Sequence, residues 1–161
     1  MAKRFTKLPK QLMSIKLLKL ILDDFSFFGS IPFYIFVTLS AGFMHNIQLF
    51  KQLAYSFLIA FIITMVAKNV HYRDRPQKEE FTIFMEKMVA GSFPSTHSMN
   101  ITLLAVFLSL SYPYAWVTAM FGTFSLMVYV QRYLTKKHFL TDIVGGILIA
   151  VAIAVFVVNV F

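Results

Sequence analysis

Charged side chains are scarce in this chain, and their scarcity excludes an ordinary water-soluble fold. Only 14% of the 161 residues are charged, whereas soluble domains usually carry about 25%. Hydrophobic residues make up 58% of the sequence, and the mean hydropathy is +0.72. Because so few polar groups cannot cover a folded chain in water, the sequence predicts a protein whose solvent is a lipid bilayer.

Cysteine is absent, which excludes a disulfide framework and any cysteine-ligated metal site. A signal peptide is also not indicated, because no short apolar core with a small-residue cleavage site follows the basic start of the chain. The length fits a single domain over residues 1–161. Within it we expect a basic N-terminal part over residues 1–26 and a transmembrane core over residues 27–161.

Acidic residues number 7 against 15 basic ones, which leaves a net charge of +8. Nucleic acid is the usual first guess for a basic chain. Here, however, the positive charges gather in the first nineteen positions and beside hydrophobic segments. That arrangement suits anionic lipid headgroups and membrane anchoring, so we expect the bilayer as a partner and no nucleic acid.

The apolar segments predict an all-α, polytopic membrane bundle of five to six helices. A spanning helix needs roughly 20 apolar residues, and helices satisfy their own backbone groups in lipid. An N-terminal amphipathic helix over residues 11–24 is expected to lie in the interface, and a short interfacial helix is expected over 81–88. The predicted spans cover residues 27–43, 53–67, 99–110, 114–130 and 143–161.

The unusual polar residues next to these spans form three clusters. The first is Lys68 followed after six residues by Arg75 and Pro76, and the second runs from Phe93 to His97. In the third, Arg132, His138 and Asp142 are separated by five and three residues. Alternating spans bring all three clusters to one membrane face, and charged residues at such places are usually functional.

Three of these residues are the cations Lys68, Arg75 and Arg132, with few carboxylates nearby. Like charges repel, so an anion is expected among them. Phosphate fits, because arginine binds its oxygens in a bidentate fork and lysine acts as a point charge. Ser95 and the backbone amides at the predicted helix start add further donors.

The histidines supply the reactive groups for such an anion. His138 and Asp142 are four residues apart, so on a helix the carboxylate can accept from one ring nitrogen and leave the other aimed outward. His97 supplies a second imidazole, so one histidine can attack phosphorus while the other protonates the leaving oxygen. A metal site is the rival interpretation, but phosphate-directed metals need several carboxylates, and Asp142 is the only acidic residue among the motif positions themselves. Simple membrane anchoring explains Lys136 and Lys137 but not the histidines.

These clusters resemble the motifs of the type 2 phosphatidic acid phosphatase superfamily, also called lipid phosphate phosphatases. The family pattern is Lys-x6-Arg-Pro, then Pro-Ser-Gly-His, then Ser-Arg-x5-His-x3-Asp. The resemblance runs from about Leu53 to the C-terminus, with two departures: Thr96 stands where glycine is usual, and Gln131 where serine is common.

The resemblance implies a role for each residue and a bundle commonly built of six membrane helices. His138 would be the nucleophile that forms a phosphohistidine, oriented by Asp142, and His97 would act as acid and then as base. No metal or other cofactor would be needed. The phosphate would be held by Lys68, Arg75, Arg132, Ser95 and the amide of Thr96.

The substrate and the side of the membrane stay open at this point. Polyprenyl diphosphate, phosphatidylglycerol phosphate, phosphatidic acid and lipid A 1-phosphate are all family substrates. We expect lateral access from lipid through an opening near the third and fifth spans. A phosphoryl or headgroup transferase, or a non-catalytic lipid-phosphate binding protein, are the alternatives. The positive-inside rule favours a cytoplasmic site, whereas bacterial family members act on the outer side of the cytoplasmic membrane, which is the location we expect.

Overall fold

The computed structural model describes residues 23–77 and 90–161. After a short 3-10 helix, Ser26–Gly29, five longer helices follow in the described chain, and no strand occurs between them. The predicted all-α membrane bundle is confirmed. The helices are α1 (Ile31–Phe43), α2 (Ile47–Val70), α3 (Thr96–Ser111), α4 (Ala115–Leu134) and α5 (Leu140–Val160).

Capping side chains set several of these boundaries and explain where the predicted spans were misplaced. Helix α1 begins at Ile31 rather than at residue 27, because the Ser30 hydroxyl accepts from the backbone N–H of Phe33 at 3.3 Å. Helix α2 begins six residues earlier than predicted, because Asn46 Oδ1 accepts from the N–H of Leu49 at 3.1 Å.

Among the helices that the structure describes, α2 and α5 are each long and apolar enough to cross a membrane by themselves. The segment Asp23–Gly29 and α1 would together form a third span with a bend of 50°. The five predicted spans are therefore not all matched by length and composition. Helix α3 has only 16 residues, or about 24 Å, and the last turn of α4 contains the polar Gln131 and Arg132.

Helix α3 is the centre of the bundle and packs against every other described helix. Its buried side chains, among them Met99, Leu103 and Phe107, meet those of α2 and α5 in the core. The outer surface is also apolar: Leu148 and Phe156 on α5 are 64% and 59% exposed. An apolar core inside an apolar surface is what a lipid solvent requires.

The up-and-down order of the helices brings four chain ends together. The C-terminal ends of α2 and α4 and the N-terminal ends of α3 and α5 lie at one end of the bundle. The three polar clusters occupy these ends. The predicted interfacial helices over residues 11–24 and 81–88 lie outside the described residues, except for Asp23 and Asp24, which open a short helical segment.

Candidate active site

A cavity of about 260 Å³ opens at the end of the bundle where the clusters meet. Lys68, Arg75, Thr96, His97 and His138 line its polar end. Its other end is walled by apolar side chains of α1 and α2, among them Ile31, Phe57, Phe61 and Met65. The cavity is therefore amphiphilic, with cations and imidazoles at one end and aromatic and aliphatic groups at the other.

The start of α3 forms one side of the polar end. Ser95 is its N-cap and is fully buried, and its hydroxyl accepts from the N–H and the hydroxyl of Ser98 at 3.4 and 3.0 Å. The N–H of Ser95 donates to the carbonyl of Asp142 at 3.1 Å, which fixes this turn to α5. Since the N-terminal end of a helix attracts anions, the turn directs a partial positive charge at the cavity. Thr96 lines the cavity there. Its side chain fills space that would be empty if this residue were glycine.

The cations come from different parts of the chain. Lys68 lies in the last turn of α2 and is buried, with 6% of its surface exposed. Gly91 lies beside it, and a Cβ at that position would approach the lysine Cγ and Cδ to 3.3 Å. Arg75 follows in the loop after α2 and is half-buried. Placing two buried or half-buried cations on one cavity costs desolvation energy that a bound anion would offset.

His138 is held by a backbone carbonyl. Its Nδ1 lies 2.8 Å from the carbonyl oxygen of Ser92. A carbonyl oxygen can only accept, so Nδ1 donates and the neutral ring keeps Nε2 unprotonated. Burial, followed by the positive charge of Arg75, lowers the pKa of His138 from 6.5 to about 3. Nε2 therefore keeps an unprotonated lone pair at neutral pH.

Asp142 does not accept from the His138 ring, which differs from the prediction made from their spacing. Its Oδ2 lies 3.9 Å from Nδ1, beyond hydrogen-bond distance. The reason is that His138 precedes α5 in the loop, so the two residues do not share one helical face. Asp142 is fully buried, and its Oδ2 accepts from the Ser92 hydroxyl and from the N–H of Phe139. It therefore holds Ser92, whose carbonyl contacts the His138 ring.

Arg73 is a site residue that the sequence reasoning missed. Its Nη1 donates to Asp142 Oδ1 at 2.9 Å and to the Thr141 hydroxyl at 2.8 Å. Its guanidinium stacks over the Phe139 ring at 4.2 Å, and its carbonyl accepts from the N–H of Ser92 at 2.8 Å. Arg73 thus fixes both Asp142 and the backbone that orients His138. Its position two residues before Arg75 was the only available signal.

Arg132 is close enough to the cavity for its charge to act on His97. It is not one of the described residues that line the cavity. It is buried, and its Nη2 donates to the hydroxyl of Ser26 at 2.6 Å. The preceding Gln131 donates to Asp23 Oδ1 at 2.9 Å. Gln131, which replaces the usual serine, therefore connects α4 to the segment before α1. Gly29 in the same segment lets it approach the start of α3 closely, because a Cβ there would lie 2.8 Å from the carbonyl oxygen of His97.

In the substrate-free protein, we expect His138 to stay neutral, with the proton on Nδ1, from pH 8 down to pH 5. The pKa of about 3 lies below this range, so lowering the pH within it leaves Nε2 unprotonated. Long-range ¹H–¹⁵N spectra of protein labelled in its histidine rings would report the tautomer, with His138→Gln assigning the signal. Protonation of this ring near pH 6.5, or a proton on Nε2, would contradict the carbonyl-held geometry.

A family model of the PAP2 superfamily matches residues 49–161, which is more than half of the chain. The chain belongs to the PAP2 superfamily. This confirms the resemblance drawn from the three clusters, all of which lie within the matched residues.

Two curated relatives are similar to about two thirds of this chain. The chain is 30% identical over 112 residues to human sphingosine-1-phosphate phosphatase 2, covering 65% of this chain and 28% of that protein. It is 32% identical over 116 residues to the enzyme of the same name from Mus musculus, covering 66% and 32% of the two chains. The chain thus spans about three tenths of the length of these relatives.

Two crystal structures share the PAP2 fold. Aquifex aeolicus LpxE superimposes with a TM-score of 0.75 at 18% identity, covering 99% of both chains. The first transmembrane PAP2 type phosphatidylglycerolphosphate phosphatase from Bacillus subtilis has a TM-score of 0.62 at 21% identity, covering 89% of this chain and 76% of that one. Together with the apolar helices, these neighbours show that the chain is a membrane protein.

Proposed function

We propose that this PAP2 protein is an integral-membrane phosphatase that hydrolyses the phosphate ester or diphosphate of a lipid. The observation that carries the proposal is the amphiphilic cavity, which combines two imidazoles and two cations at one end with aromatic side chains at the other. A lipid phosphate has the same division of polarity. The phosphatase names of the relatives and the fold neighbours support the same class of reaction.

In the proposed mechanism, His138 Nε2 attacks phosphorus and the bond from phosphorus to the leaving oxygen breaks. His97, on the α3 side of the cavity, donates a proton to that oxygen. Water then attacks the phosphohistidine and gives a proton back to His97, which releases phosphate and restores His138. Lys68, Arg75 and the start of α3 stabilise the charge on the equatorial oxygens, with Arg132 adding its charge from beside the cavity.

The substrate is proposed to enter sideways from the lipid. Ile31 on α1 and Phe61 on α2 line the cavity and are also 39% and 46% exposed on the outer surface. The expected opening near the third and fifth spans finds no support, since the described lining includes no residue of α5. We place the protein in the cytoplasmic membrane as a multi-pass protein, with the site on its outer face.

Metal independence is part of the proposal and is tested directly. Within residues 23–77 and 90–161, no group of three or more His, Cys, Asp or Glu side chains is arranged to hold a metal ion. We expect the purified protein in detergent to release phosphate at the same rate with and without EDTA. The lipid panel contains phosphatidic acid, phosphatidylglycerol phosphate, polyprenyl diphosphate, lipid A 1-phosphate and sphingosine 1-phosphate.

Activity that EDTA removes and a divalent cation restores would contradict the metal-free mechanism. Absence of phosphate release from every lipid would contradict the phosphatase proposal itself. Transfer of the phosphoryl group or headgroup to a lipid acceptor, visible among the products, would instead favour a transferase that uses the same residues.

A further inference from the structure

Two buried polar side chains on the cavity wall have no part in the phosphate chemistry. Thr64 precedes Lys68 by about one helical turn on α2, and Asn100 follows His97 by about one turn on α3. At 1.5 Å per residue, they lie about 6 Å and about 4.5 Å from the phosphate-facing residues, toward the apolar end. Both therefore face the part of a lipid that directly follows its phosphate.

Asn100 presents an acceptor at this depth. It is only 2% exposed, and its Nδ2 donates to the carbonyl of Gly29 at 3.1 Å. Because a carbonyl accepts only, this contact fixes which end of the amide is nitrogen. Nothing in the described part of the chain donates to its Oδ1. Asn100 lines the cavity, so this oxygen is open to a ligand there, and a ligand that donates to it gains a hydrogen bond that an unsubstituted chain cannot make.

Thr64 offers a hydroxyl that is weakly satisfied. It is 8% exposed, and the partner of its Oγ1 among the described residues is the thioether sulfur of Met99, at 3.7 Å. Thioether sulfur is a weak acceptor, so a ligand oxygen or nitrogen would be a better partner. By contrast, Thr102 on α3 donates to the carbonyl of Ser98 one turn earlier at 2.6 Å, which is a common arrangement for helical threonine.

Resting on the proposed function, we infer that the substrate is a lipid monophosphate that carries an O–H or N–H donor within a few bonds of its phosphate. Asn100 Oδ1 would accept from that donor and Thr64 would complete the contact. An unsubstituted hydrocarbon at this depth displaces water from Asn100 Oδ1 without donating to it, and a second phosphate brings an anion against it. Hydroxylated or amino lipid monophosphates are therefore preferred over alkyl phosphates and over polyprenyl diphosphate.

The test compares two lipids of equal chain length with the purified full chain in mixed micelles. Sphinganine 1-phosphate has a hydroxyl and an ammonium group beside its phosphate, whereas octadecyl phosphate has neither. We expect kcat/KM to favour sphinganine 1-phosphate by about tenfold or more. Thr64→Val keeps the shape of the side chain and removes the hydroxyl, and it should reduce this ratio about threefold to tenfold.

Thr123→Val is the matched control, because Thr123 lies on the exposed face of α4 and donates to the carbonyl of Ala119. Its ratio should equal that of the wild type. Asn100→Leu is a second variant and should lower the ratio further, with thermal unfolding in detergent checking that both variants fold. Equal hydrolysis of the two lipids by the wild type would overturn the inference and leave the phosphatase proposal intact. Hydrolysis of neither lipid, nor of any other lipid phosphate, would overturn the proposed function and the inference with it.

Discussion

Replacing His138 by alanine is expected to lower phosphate release by at least about a thousandfold, the scale on which a covalent nucleophile is usually felt. The Nε2 of this ring is the atom that the Ser92 carbonyl leaves unprotonated and directed at the cavity. Phosphohistidine is hydrolysed in acid, so an acid quench is unsuitable. The intermediate should instead be trapped under alkaline conditions, with a lipid that carries ³²P in its phosphate. The wild type should retain label, and His138→Ala should not.

His45→Asn is the matched control for this experiment. His45 lies between α1 and α2, at the end of the bundle opposite the cavity, and has a positive φ of 56°. Asparagine tolerates that backbone conformation, so the variant should fold and work like the wild type. Retention of activity within tenfold in His138→Ala, with the protein folded, would show that another group attacks phosphorus.

The sequence predicted that the three clusters meet at one end of the bundle, because the order and direction of the helices determine this. Once the apolar segments alternate in direction, Lys68, His97 and His138 must come to one face, and the structure places them on one cavity. The boundaries of the helices were less predictable, because caps such as Ser30 and Asn46 act over a single turn. Hydrophobic runs do not report such local hydrogen bonds.

The contacts that hold the proposed catalytic residues could not be predicted from their spacing. Backbone carbonyls carry no sequence signal, so the contact of Ser92 with His138 was invisible, and Asp142 was expected in its place. Arg73 was hidden for a related reason, since its partners lie 68 and 69 positions away in sequence. Only a folded chain shows that Arg73 holds Asp142 and the backbone that contacts His138, while Arg75 faces the cavity.

Gly146→Ala is expected to lower kcat by about a hundredfold, although residue 146 does not line the described cavity. A Cβ there would lie 2.8 Å from the carbonyl oxygen of Ser95, 3.3 Å from Met99 Cγ and 3.4 Å from Ser98 Cβ. The nearest of these is backbone, which cannot rotate away, so the turn that starts α3 must shift. Displacing a catalytic group by about 1 Å can cost about 10²-fold in rate, and this turn carries Thr96 and His97.

Gly122→Ala provides the comparison, because a Cβ at Gly122 on α4 would meet no atom within 4 Å. A helical glycine to alanine change without a clash is neutral or stabilising by up to about 1 kcal/mol. Turnover of the lipid phosphate by Gly122→Ala should therefore match the wild type. If Gly146→Ala also matched it, with a similar unfolding temperature in detergent, α5 would have room to move away from Ser95. The close approach of α5 to the turn that starts α3 would then not be required for catalysis.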